Sequence, residues 1–278
     1  MLSWTENDRQ LVAARPPHDG RKITDISSLW TEHPRAIVAR YTTDFDLPEP
    51  TDFWYIIKDT PLDLASMKAK RRYEITRATR NFTVREINPA DEEEALYAVQ
   101  VAAFSVYPEK YRPTVDRDRF LSAARRWRAE GNVVLGAYPA DGGALSGYIL
   151  AYDGGDHVMF NVLKTRPACE RAGVNAALVA ALLTHFDARL RAGGFYICDG
   201  FRNLYHETAF QDYLEKYFGF RRAYCRLHML YRPLYRAAVR LLYPLRRILR
   251  RFDNTRLFHK LNSLLLCEEI ARSTQKRG

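Results

Sequence analysis

From residue 82 onward the chain alternates between two hydrophobic periods in a regular order. Phe82-Thr83-Val84-Arg85-Glu86-Ile87 has the two-residue period of a strand. Asn88-Pro89-Ala90-Asp91 then supplies a turn, and 92–104 carries acidic residues in its first turn, as a helix start prefers. A second helix is predicted over 116–130, closed by Gly131, and strand-like runs follow over 132–138, 145–152 and 157–163. Asp141-Gly142-Gly143 and Asp153-Gly154-Gly155-Asp156 read as the hairpin turns between them. An Ala- and Leu-rich helix over 173–190, a short buried strand over 195–198, a helix over 204–217 and a long alternating strand over 220–231 complete the order β-α-α-β-β-β-α-β-α-β. Such an order predicts an α/β (α+β) fold, a mixed central sheet flanked by helices.

The flanking segments read differently. Residues 1–34 lack a sustained period and carry Pro16-Pro17 and Asp19-Gly20, which predicts irregular structure with a short turn of helix. Residues 36–41 and 53–57 are β-branched and aromatic, separated by Asp46, Pro48, Pro50 and Asp52, so a hairpin or a pair of neighbouring strands is expected; Pro61 then opens a helix to about Arg80. Beyond Pro233, leucines and arginines recur at helical spacing, and Pro244 breaks or kinks the first helix. Leu234, Ala238, Leu241, Leu242, Leu245, Ile248 and Leu249 are expected to share one apolar face opposite the arginines, which packs on the domain, lies on an anionic membrane or leaves the arginines to contact RNA. The expected organisation is an N-terminal β/α extension over 1–81, a central domain over 82–232 and a basic amphipathic helical tail over 233–278.

Composition narrows the class. The 278 residues, 47% hydrophobic and 27% charged, describe a globular chain and exclude a disordered one. No run approaches the roughly 20 apolar residues of a membrane-spanning helix, and the first ten residues lack the layout of a signal peptide. A cytoplasmic protein is expected, peripheral to the inner face of the membrane if the tail meets lipid. Cys169, Cys198, Cys225 and Cys267 have no metal-ligand spacing, so reduced thiols and no metal site are expected. The formal charge of +10 favours polyanionic partners, and it concentrates in two clusters: Lys68, Lys70, Arg71, Arg72, Arg77 and Arg80, then Arg232, Arg236, Arg240, Arg246, Arg247, Arg250 and Arg251. The chain contains no P-loop, dinucleotide-binding fingerprint, nucleophile elbow or HExxH, so kinase, dehydrogenase, serine hydrolase and metalloprotease chemistry have no support.

Three short motifs carry a resemblance over about 82–232. Pro167-Ala168-Cys169-Glu170-Arg171-Ala172-Gly173-Val174-Asn175 follows the third strand of the run, His206-x-x-Ala209-x-x-x-Tyr213 opens the last helix, and Gly219-Phe220 follows it. Together with the element order these resemble the GNAT acyltransferase superfamily, whose loop reads Pro-x-x-Arg/Gln-x-x-Gly-x-Gly/Ala. Upstream, the stretch Lys68-Ala69-Lys70-Arg71-Arg72-Tyr73-Glu74-Ile75-Thr76-Arg77-Ala78 is similar to one in the FemAB-like branch, some members of which take their acyl group from aminoacyl-tRNA. Asp199-Gly200 is compatible with that branch.

The resemblance implies an acyl-CoA-dependent N-acyltransferase acting on a small-molecule or peptide amine, with acetyl-CoA or another acyl-CoA as co-substrate. Backbone N–H groups at a helix start capture the pyrophosphate in such a loop. The implied cofactor-binding residues are Val162, Leu163, Arg171, Ala172, Gly173, Val174, Asn175 and Ala176. Glu170 and Asn175 depart from the family pattern. Tyr213 is the implied general acid, since a phenol can protonate a departing thiolate, and His206 stands where the family has Asn. Glu109 and His157 are candidate bases by residue type. Two alternatives stay open: a FemAB-like aminoacyltransferase using charged tRNA, suggested by the basic clusters, and a non-catalytic binding protein on a degenerate GNAT scaffold, suggested by the loop departures.

Overall fold

The computed structural model describes residues 4–7, 9–109, 112–202, 209–252 and 255–276. Its contacts divide the chain into two compact units, one from residues 1–56, 201–209 and 222–278, the other from 57–200 and 210–221. No helix among the described residues is long and apolar enough to cross a membrane.

The first unit is built on β1 (Trp4–Asn7), β2 (Gln10–Ala13), β3 (Val38–Leu47) and β10 (Arg221–Tyr231), with β4 (Trp54–Lys58) starting in it; the strand order is β1-β2-β3-β10-β4. β2 runs parallel to β3, whereas β1 with β2 and β3 with β10 are antiparallel. Two expectations are corrected here. The segment read as irregular forms β1, β2 and helix α1 (Ile26–Glu32), because each strand is only four residues long and too short to show a period. What fixes them is burial: Leu11 packs with Leu29, Ala36 and Ala39. The expected hairpin of β3 and β4 does not form, because β10 pairs with β3 from Tyr231↔Val38 to Tyr224↔Leu47 and lies between the two.

The tail is helical and closes this unit. Helix α9 (Pro233–Leu242) gives way to a tight 3₁₀ turn at Tyr243–Leu245, where Pro244 has no N–H to continue the ladder, and α10 (Arg246–Leu249) and α11 (Arg256–Lys276) follow. Leu265, Cys267, Ile270, Ala271 and Thr274 of α11 are buried; the Thr274 hydroxyl accepts from the Leu227 N–H at 3.2 Å, and Tyr231 donates to Glu268 at 2.8 Å.

The second unit holds the predicted alternating order. Its sheet runs β9-β8-β7-β6-β5, from β5 (Phe82–Glu86), β6 (Asn132–Pro139), β7 (Gly147–Asp153), β8 (His157–Thr165) and β9 (Tyr196–Phe201). Neighbours are antiparallel except β8 and β9, which are parallel. Helices α3 (Glu93–Ser105) and α4 (Arg117–Trp127), the latter capped by the Asp116 carboxylate, cover a core of Leu96, Val99, Val134, Tyr148 and Leu150. A short helix α5 (Pro167–Glu170) comes first, and the long helix expected over 173–190 is two pieces, α6 (Val174–His185) and α7 (Asp187–Ala192). Eight of the twelve residues of α6 are buried, which is why an Ala/Leu sequence without a polar stripe stands there. Helix α2 (Ala69–Asn81) starts later than Pro61, because the Asp63 carboxylate first holds a turn by accepting from Ala65 and Ser66 N–H at 2.9 and 3.3 Å. Helix α8 (Ala209–Phe218) follows β9.

Candidate active site

The strands β8 and β9 pair only at their starts, from His157↔Tyr196 to Met159↔Cys198. Beyond that point a cavity of about 240 Å³ is lined by Phe160, Val162, Leu163 and Lys164 of β8, Asp199 of β9 and Phe210 of α8. Phe160 meets Phe210 edge to face at 5.9 Å in its wall, beside the polar side chains of Lys164 and Asp199. The register of β7 on β8 slips at this level, from Leu150↔Val162 to Ala151↔Phe160, so Asn161 is an extra residue in a β-bulge. A bulge removes a backbone group from the ladder and turns it outward, here at the wall of the cavity.

Two ionisable groups share this cavity, and burial moves both toward neutrality. The Asp199 carboxyl is pushed up to about 7, the cost of charging it in an apolar setting outweighing the hydrogen bond that it accepts from the Gln211 amide at 3.3 Å. The Lys164 ammonium is pushed below its ordinary range by the same cause, with its Nζ 4.7 Å from the centre of the Phe104 ring. A carboxyl poised near neutrality and an amine that gives up its proton more readily than usual are suited to proton transfer. A more open groove of about 490 Å³ runs along β5 and α6, with His185 and Glu86 at its rim 4.0 Å apart.

The loop after β8 starts α6 with a left-handed glycine. Gly173 has φ of +96° and accepts the first helical hydrogen bond from Ala177, so the N–H groups of Val174, Asn175 and Ala176 lie ahead of the helical ladder. Side chains in this turn serve packing: Val174 and Ala176 are buried, and the Asn175 carbonyl accepts from the Thr165 hydroxyl at 3.2 Å. The outer side of the loop is held by α2, where Asn81 donates to the Ala172 carbonyl at 2.9 Å and Arg77 to the Arg171 carbonyl at 3.4 Å. A Cβ on Gly173 would stand 2.8 Å from the Cβ of Ala78. The glycine is thus explained by its φ and by the approach of α2. The N–H groups ahead of the ladder still fit an anionic donor group, as a helix start does in general.

No protein-family model matches the chain, and no curated protein matches it. Solved structures do. FemX superposes with a TM-score of 0.53 at 11% identity, over 85% of this chain and 85% of its own. L-PGS from Bacillus licheniformis does so with a TM-score of 0.50 at 10% identity, over 98% of this chain and 86% of its own. The chain has a GNAT/FemAB-like fold. A GCN5-related N-acetyltransferase from Sphaerobacter thermophilus is similar over 82% of this chain and 75% of its own, at 16% identity and a TM-score of 0.43.

Of the residues that the sequence singled out for this GNAT/FemAB-like fold, Val162 and Leu163 line the cavity, and Arg171 to Ala176 form the adjoining loop and helix start. Tyr213 is half-buried in a ring cluster with Phe210, Tyr217 and Phe218 at centroid distances of 6.0, 4.9 and 5.6 Å, and is not among the residues lining the cavity. Burial first, then Tyr217 and Glu74, raise the proton affinity of its phenol, which stays neutral. Glu109 is exposed in the turn after α3 and lines none of the cavities described, and His206 lies outside the described residues. His157 is buried at the start of β8, with Nδ1 2.6 Å from the Asp156 carboxylate. Sequence reasoning did not place Asp199 and Lys164 together in a cavity. The available signal for Asp199 was its position, a carboxyl directly after the apolar run Phe195-Tyr196-Ile197-Cys198.

Proposed function

We propose that this protein transfers an acyl group from an activated donor to an amine, with the reacting atoms in the cavity between β8 and β9. The observation that carries the reading is that Asp199 and Lys164 line one cavity, each driven toward neutrality by burial. Asp199 takes a proton from the attacking nitrogen, whose lone pair forms the new C–N bond. Backbone N–H groups at the β8 bulge stabilise the oxygen of the tetrahedral adduct. As the bond from carbon to the leaving sulfur or oxygen breaks, Lys164 supplies that atom with a proton; solvent then restores both groups. A space of about 240 Å³ suits the reacting ends of donor and acceptor and leaves the rest of each outside.

The donor in the leading reading is acetyl-CoA or another acyl-CoA, whose thioester is the activated bond. The N–H groups of Val174, Asn175 and Ala176, with Arg171 and Arg77 beside them, would hold its pyrophosphate. Tyr213 supports the wall of the cavity through Phe210. A second reading has a specific observation behind it: α2 exposes Lys68, Lys70, Arg72, Arg77 and Arg80 while lying against the same loop, an electrostatic surface suited to a longer polyanion such as charged tRNA.

Calorimetric titration with acetyl-CoA, free CoA and aminoacyl-tRNA at two salt concentrations tests the reading. Saturable acyl-CoA binding that persists at the higher salt supports the first donor, and tRNA binding that weakens steeply with salt supports the second. Absence of both in a folded protein would leave a non-catalytic binding protein.

A further inference from the structure

The tail does not present the single apolar face that its sequence suggests. Val239, Leu242 and Leu249 pack inward with Val38, Tyr231 and Leu265. Leu234, Leu241, Leu245, Ile248 and Phe252 face solvent, with 78, 75, 47, 55 and 51% of their surface exposed, and Ala238 is exposed with them. They recur at alternating spacings of four and three residues along α9, the turn at Pro244, α10 and the 3₁₀ turn at Arg250–Phe252. Exposed leucines are ordinary singly, but five large apolar side chains exposed within one segment of about twenty residues need a partner.

The surrounding charge says which partner. Residues 233–252 contain six arginines and no carboxylate. Arg246 and Arg250 are engaged with Glu269 at 3.0 and 2.5 Å. Arg236, Arg240, Arg247 and Arg251 are exposed and have no carboxylate partner among the described residues. A second copy of this chain would bring two such arginine sets together, which is repulsive. An anionic lipid surface accepts both features at once, since the leucines enter the acyl boundary while the arginines reach the headgroup phosphates. We propose that residues 233–252 dock the protein on an anionic lipid bilayer, lying in its surface.

Flotation of the full chain with vesicles tests this. Vesicles of phosphatidylcholine mixed with an equal part of phosphatidylserine should carry the protein, and pure phosphatidylcholine should carry about tenfold less. Leu241→Gln with Ile248→Gln should lose about tenfold or more of the binding, and so should Arg240→Gln with Arg247→Gln. All four side chains are exposed, so circular dichroism and the melting midpoint should not change in either variant. Three results would overturn the proposal: no binding to the mixed vesicles, undiminished binding by the leucine variant, or a dimer in solution that the leucine variant abolishes.

Discussion

Asp199 carries the sharpest test at the residue scale. If it is the base, Asp199→Asn should lower turnover about a hundredfold or more and remove the rise in rate with pH through about 7, measured as a pH profile of kcat. The same shift makes a statement about stability. A carboxyl whose folded proton affinity is raised contributes fully below the usual carboxylate range and loses that contribution as pH rises through about 7. The Asn variant should therefore melt higher than the wild type at about pH 8 and equally at the lowest pH. Tyr213→Phe separates the two acid assignments. With Lys164 as the proton donor, the Phe variant should keep turnover within a few-fold, whereas Lys164→Met should lose tenfold or more; the opposite result would return the acid role to Tyr213. None of this was legible in the residues, because burial sets the proton affinities. An Asp-Gly step reads as a turn until the depth of the strand end is known.

At the scale of elements, the contact of α2 with the start of α6 decides what Gly173 is for. Gly173→Ala combines a left-handed φ with a Cβ 2.8 Å from that of Ala78, and should cost about 1–3 kcal/mol in urea denaturation. Adding Ala78→Gly should recover the steric part and leave the backbone part, a coupling that a double-mutant cycle reads directly. The sequence marks this glycine by its place in the motif and offers a ligand as the reason; the helix that comes close to it is distant in the chain. The same limit accounts for other differences. Periods of two and 3.6 residues located the strands and helices from 82 to 231, because each period is a local property. Which strand lies beside β3 is non-local, and a strand returning from residues 221–231 has no signature in residues 36–57. In the tail, seven apolar residues at helical spacing matched one face by count, yet the helix buries one side and leaves the other bare.

For the whole molecule, the two units differ in how they are assembled from the chain. The second draws almost entirely on one stretch, 57–200, while the first gathers its parts from 1–56, 201–209 and 222–278. Removing α11 would uncover Leu227, Tyr231 and Val38, and should broaden or abolish the urea transition of the first unit while the ring environment of Trp127, in the second, still unfolds cooperatively. The arrangement also bears on how the protein comes off the ribosome. Residues 57–200 form one stretch that can fold largely as it is made. Strand β3 is made before that stretch and must wait for it to be completed, because β10 and α11, which cover β3, come after it in the chain. During that interval Val38 and Tyr41 lack the partners that Tyr231, Leu265 and His228 later supply, so the nascent chain at that stage is where a chaperone would be expected to hold it.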